Sequence, residues 1–131
     1  MADIQHLFVY GTLRQGDVRW QFLEPYVVDS GTPDSAAGAL YDTGREYPAA
    51  RFGEPGTIVG HRYRLLPDRT EEALALMDQV ESAVEGLYHR ILIVTDSGVD
   101  SWAYQYGDGL VLQRITSGDW FRHIGFGTSA G

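Results

Sequence analysis

The sequence contains no cysteine and no lysine. Without cysteine there is no disulfide, no thiolate nucleophile and no Cys-ligated metal. Without lysine there is no Schiff-base chemistry from a protein amine. All ten basic residues are arginine, set against 18 acidic ones, and the formal charge is −8. Such a surface repels phosphate backbones, which argues against a nucleic-acid partner. The arginines form no run, so each reads as a local pairing group. No stretch reaches the ~20 apolar residues of a membrane span, so no membrane partner is expected. Met1 to Gln5 leads straight into a strand-like run with no signal-peptide pattern, and the expected compartment is the cytoplasm.

What is present fits one folded unit. The 131 residues are 44% hydrophobic and 21% charged, ordinary values for a soluble globular chain. A single domain over 1–131 is expected, with Thr128-Ser129-Ala130-Gly131 as a loose tail. Sixteen glycines, five prolines, eight tyrosines and three tryptophans argue for strands and turns over a helical bundle.

Leu7 to Tyr10 reads as a short strand ended by Gly11. Val18 to Leu23 reads as a short helix stopped near Pro25. Gly38 to Asp42 and Thr57 to Leu66 are further strands, with Gly44 to Gly56 mostly loop between them. The clearest helix is expected at Arg69 to Glu81, with Asp68 as N-cap and Glu71 completing a capping box. Its apolar face is Ala73, Leu74, Leu76, Met77 and Val80. Arg90 to Asp96 and Val99 to Tyr106 form a hairpin across Ser97-Gly98, with Trp102, Tyr104 and Tyr106 on one face. The pattern is α+β with a mostly antiparallel sheet.

Several residues can carry chemistry. A strand running into Tyr10-Gly11-Thr12-Leu13 presents successive backbone N–H groups at a tight turn, where a carboxylate can sit, and Arg14 adds charge. The plainer alternative is an ordinary turn. With Leu74 at zero on a wheel of about 100° per residue, Glu81 falls near roughly 340°, beside the apolar stripe. A carboxylate there, at a helix C-terminus, meets partial burial and the negative end of the dipole. Both raise its pKa toward the range of a general acid/base. The plainer alternative is a solvated glutamate. Asp78 reads as a solvated charge. Arg90 either holds a substrate carboxylate or pairs with Glu81 or Asp78. His6, His61, His89 and His123 show no metal-ligand spacing, and no serine lies in a nucleophile elbow.

Taken in order, Tyr10-Gly11-Thr12-Leu13-Arg14, Gly38 to Asp42, Tyr47 to Ala50, Gly60 to Leu65, Leu76 to Glu81, Tyr88-His89-Arg90, Ala103 to Tyr106 and Gly118-Asp119-Trp120 form one ordered set. This set resembles the gamma-glutamylcyclotransferase-like superfamily, in its short bacterial members of the gamma-glutamylamine and butirosin-biosynthesis type. The resemblance implies a small mixed, mostly antiparallel β-barrel flanked by a few helices. It implies Glu81 as the catalytic acid/base, with Tyr10, Gly11, Thr12 and Leu13 lining a glutamyl pocket. Arg14, Tyr88, Arg90 and Tyr104 would support substrate binding. One departure is Ser82, where the family often has glycine; Gly86 comes later, which suggests a longer connection.

The reaction so implied takes a small-molecule gamma-glutamyl amide, with no metal and no cofactor. The substrate's own α-amine attacks the side-chain carbonyl, giving 5-oxoproline and a free amine. That amine is open: an amino acid, a lysine side chain, a polyamine or a biosynthetic intermediate. Two other readings stand beside this one, a non-catalytic carboxylate-binding module and a gamma-glutamyl amide hydrolase.

Overall fold

In a computed structural model of the chain, residues 4–10, 20–28, 31–42, 48–82, 88–106 and 113–124 are described. The first strand, β1, is His6–Val9. It is followed by a short helix, α1, at Trp20–Leu23, which tightens into a 3-10 turn at Glu24–Tyr26 with Pro25 at its start. Two long strands come next, β2 at Thr32–Asp42 and β3 at Pro48–Arg64. A 3-10 turn at Pro67–Arg69 leads into α2, Thr70–Ser82. The chain then forms β4 at Tyr88–Val94, β5 at Asp100–Tyr106, β6 at Gln113–Ile115 and a last helix, α3, at Trp120–Ile124.

The six strands make one sheet in the order β4-β5-β1-β3-β2-β6. The β1–β5 pair is parallel, with Leu7 opposite Trp102, and the other pairs are antiparallel. The sheet is therefore mixed and mostly antiparallel, as expected. It curls into a half-barrel. The curl is fastened where the β4–β5 turn meets β2: Asp96 N–H donates to the Ser35 carbonyl at 2.8 Å.

Alternation along the strands sorts the core onto two faces. Leu7, Val9, Tyr63, Leu65 and Tyr104 pack against Leu23 of α1 and Ala73, Leu74 and Met77 of α2. The other face gathers Phe8, Tyr10, Ala36, Leu40, Ile58 and Ala103 with Trp120 of α3. Fully burying one such side chain contributes roughly 1.5–3 kcal/mol.

Three local expectations change. The segment read as loop before Gly56 holds strand residues Pro48 to Phe52, paired with Gly38 to Asp42. The ladder jumps from Thr57 opposite Ala37 to Phe52 opposite Gly38, so Gly53-Glu54-Pro55-Gly56 bulge out of register. Positive φ at Gly53 and Gly56 makes that detour possible. Strand β2 also begins earlier than expected, at Thr32. Finally, Leu66 stands at the N-cap of the 3-10 turn and Asp68 lies inside that turn, so the expected capping box is displaced. The Thr70 hydroxyl donates instead to the Leu66 carbonyl at 3.0 Å. Among the described residues no helix is long and apolar enough to cross a membrane. Val18 and residues 128–131 lie outside the described residues.

Candidate active site

The expected residues lie on several elements of the fold. Strand β1 delivers Tyr10, and α2 carries Glu81 in its last turn. Tyr10 is 7% exposed. Its ring meets Phe52 edge-on at 5.9 Å between centroids, and its hydroxyl donates to the Tyr104 carbonyl at 2.5 Å. The turn that follows, Gly11, Thr12, Leu13 and Arg14, lies outside the described residues. So do the side chains of Glu81 and Tyr88, although their backbones are placed in α2 and β4.

Arg90 and Tyr104 converge on a residue that the sequence presents as a solvated charge. Arg90 donates from Nε to Asp78 Oδ1 at 2.9 Å and from an Nη to Asp78 Oδ2 at 3.2 Å. This is the two-point fork that a guanidinium makes with a carboxylate. The Tyr104 hydroxyl donates to the same Asp78 Oδ1 at 2.7 Å. The Arg90 guanidinium also lies over the Trp102 ring, 4.5 Å from its centroid. Of the two alternatives for Arg90, pairing with Asp78 is the one observed.

Asp78 thus joins α2 to β4 and β5, three residues before Glu81. The sequence offers it as one of two possible partners for Arg90 but not as a partner of Tyr104. The available signal is its spacing from Glu81, which puts both on neighbouring helical rows. Next to Tyr104, the Gln105 side-chain oxygen accepts from Phe52 N–H at 3.0 Å, linking β5 to β3.

Beside this cluster runs a groove of about 480 Å³, whose lining includes Leu74, Asp78, Arg90 and Trp102. Its size is that of a small-molecule site. Among the described residues no group of three His, Cys, Asp or Glu side chains could hold a metal. His123 is engaged elsewhere, with Nε2 2.7 Å from Asp42 Oδ2.

Comparison with known proteins identifies the family. A family model described as "Gamma-glutamyl cyclotransferase, AIG2-like" matches residues 7–122. The gamma-L-glutamyl-butirosin B gamma-glutamyl cyclotransferase of Niallia circulans is 32% identical over 123 residues, covering 88% of this chain and 74% of that protein. The solution structure of the protein ytfP from Escherichia coli is 33% identical and superposes with a TM-score of 0.63, covering 91% of this chain and 98% of that one. A protein of Pyrococcus horikoshii shares the fold, with a TM-score of 0.71 at 22% identity over 93% of both chains. The chain therefore belongs to the AIG2-like gamma-glutamyl cyclotransferase family.

Proposed function

We propose that the chain converts a gamma-glutamyl amide into 5-oxoproline and a free amine, with Glu81 as general acid/base. The observation that carries this reading is the place of Glu81. It stands in the last turn of α2, just past Asp78, whose partner Tyr104 also receives the Tyr10 hydroxyl. Two hydrogen bonds through Tyr104 therefore run from Tyr10 to Asp78, on the helix that carries Glu81. The Niallia circulans relative is named for a gamma-glutamyl amide, the substrate class proposed here.

Backbone N–H groups of Gly11, Thr12 and Leu13 hold the substrate carboxylate, with Tyr10, Arg14 and Tyr88 supporting its binding. The Glu81 carboxylate takes a proton from the α-ammonium. The freed amine attacks the side-chain carbonyl carbon, and a C–N bond forms. Glu81 then returns that proton to the departing nitrogen as the original amide C–N bond breaks, and the second proton of the attacking nitrogen passes to the released amine, which leaves as its ammonium. The nucleophile arrives with the substrate, so no protein nucleophile is called upon. Holding the glutamyl chain folded back can supply up to roughly 7–11 kcal/mol. Proton transfer by one positioned carboxylate contributes about 10²–10⁴-fold.

The test is incubation with a panel of gamma-glutamyl amides, followed by assay for 5-oxoproline. Release of glutamate instead would identify a hydrolase, and binding without any product would identify a carboxylate-binding module. Glu81→Gln is expected to fold and to lose at least about 10²-fold in kcat. Wild-type turnover in that variant refutes the assignment.

A further inference from the structure

We propose that Tyr104 is a positioning residue for the end of α2 that carries Glu81. It acts on Glu81 through Asp78. The kinetic part of this inference rests on the cyclotransferase reading; the geometric part does not.

Tyr104 is 4% exposed and has a bond at each end. Its carbonyl accepts from the Tyr10 hydroxyl, and its own hydroxyl donates to Asp78 Oδ1. On the Asp78 side, Glu81 follows within one helical turn.

The helix needs such a tether. The last carbonyls of a helix have no partner within it, and its end frays unless something holds it. Helix α2 has no basic residue in its last turn, so none of its own side chains offsets the negative end of its dipole there. A glutamate at that end works against the helix further. What holds the turn is Asp78, fixed by two bonds from Arg90 of β4 and one from Tyr104 of β5. Arg90 is steadied in turn over Trp102. A shift of about 1 Å at a catalytic group can cost on the order of 10²-fold in rate. A hydroxyl that sets the helix end therefore has kinetic weight without touching substrate.

The experiment compares wild type, Tyr104→Phe, Asp78→Asn and the double variant. Tyr104→Phe removes one hydroxyl and no charge, so a change in how Glu81 titrates reports geometry. For each protein we would measure kcat and KM on a gamma-glutamyl alkylamide, the pH profile of kcat, and the Glu81 Cδ titration by carbon-13 NMR. Tyr104→Phe is expected to lower kcat by about 10- to 100-fold, with KM within about threefold of wild type. The Glu81 midpoint and the kcat profile should move together. The double variant should be little worse than Asp78→Asn alone, because both break one network. Unchanged kcat and an unchanged Glu81 midpoint in Tyr104→Phe overturn the proposal, as do fully additive effects. If wild type yields no 5-oxoproline from any amide, the cyclotransferase reading falls and the titration still decides the tether. A moved midpoint sustains it, and an unmoved one refutes it. Should Tyr104→Phe fail to fold, Arg90→Lys serves in its place, since lysine cannot reproduce the two-point fork.

Discussion

Asp34 occupies the point where β2 meets the β4–β5 turn, with its side chain only 4% exposed. It accepts from the Ser35 N–H at 2.8 Å, from Arg62 Nε at 3.0 Å and from the Ser97 hydroxyl at 2.5 Å. Burial alone would push its carboxyl up, but the hydrogen bonds from Ser97, Thr95, Ser35 and Arg62 outweigh it and hold the pKa at about 2. A depressed carboxyl contributes stability above its unfolded pKa, which is about 3.9. That contribution is lost as pH falls through the folded value. The difference is worth about 2 kcal/mol. Asp34→Asn should therefore be less stable than wild type at pH 6, with the gap closing between about pH 5 and 2. Urea midpoints at pH 6, 4 and 2.5 would show it; a gap that stays constant across this range would rule out the carboxylate as its source. The same cluster, with the Ser35 hydroxyl on Asp96 at 2.6 Å, is what fastens the hairpin tip to β2.

Among the elements, β3 shows how a strand survives an interruption. Its Gly53 has φ of 89° with open space where a side chain would begin. Gly118, which docks the approach to α3 on β3, has φ of 67°, and an added Cβ would lie 1.8 Å from the Thr57 carbonyl oxygen. Its own carbonyl accepts from Val59 N–H at 2.8 Å. Gly53→Ala should then cost only the backbone strain, about 1–2 kcal/mol. Gly118→Ala must also push the last turn off the sheet and should cost clearly more. Equal losses in thermal denaturation would contradict the close approach. These two glycines also mark what a sequence reading can reach. Helix α2 and the β4–β5 hairpin were legible, because 3.6-residue and two-residue periodicities survive in Ala73, Leu74 and Met77 and in Trp102 and Tyr104. The strand segment Pro48 to Phe52 was not, because Gly53-Glu54-Pro55-Gly56 looks like a loop when its partner strand is unseen. The candidate site divides in the same way. Tyr10 and Glu81 stand out in local motifs and the Arg90–Asp78 pair is one of the alternatives the sequence offers, whereas the bond from Tyr104 to Asp78 joins residues 26 positions apart, and no local pattern encodes it.

At the scale of the molecule, one sheet separates two cores. Met77 belongs to the face that carries α2 and is 0% exposed. Ile58 belongs to the face covered by α3 and is also 0% exposed. The two clusters share no buried residue, so damage to one should not relax into the other. Met77→Ala should cost about 2–5 kcal/mol, and Ile58→Val about 0.5–1.5 kcal/mol. Combined, they should add to within about 0.5 kcal/mol, as independent sites do. Met77→Ala with Leu74→Ala is the contrasting pair, since both sit in the α2 core and neighbouring cavities interact. Urea denaturation of the single and double variants gives all the terms needed. A coupling of 1 kcal/mol or more between Met77 and Ile58 would mean that the sheet transmits packing changes across its thickness. The end of α2 that carries Glu81 would then be sensitive to the α3 face as well as to its own.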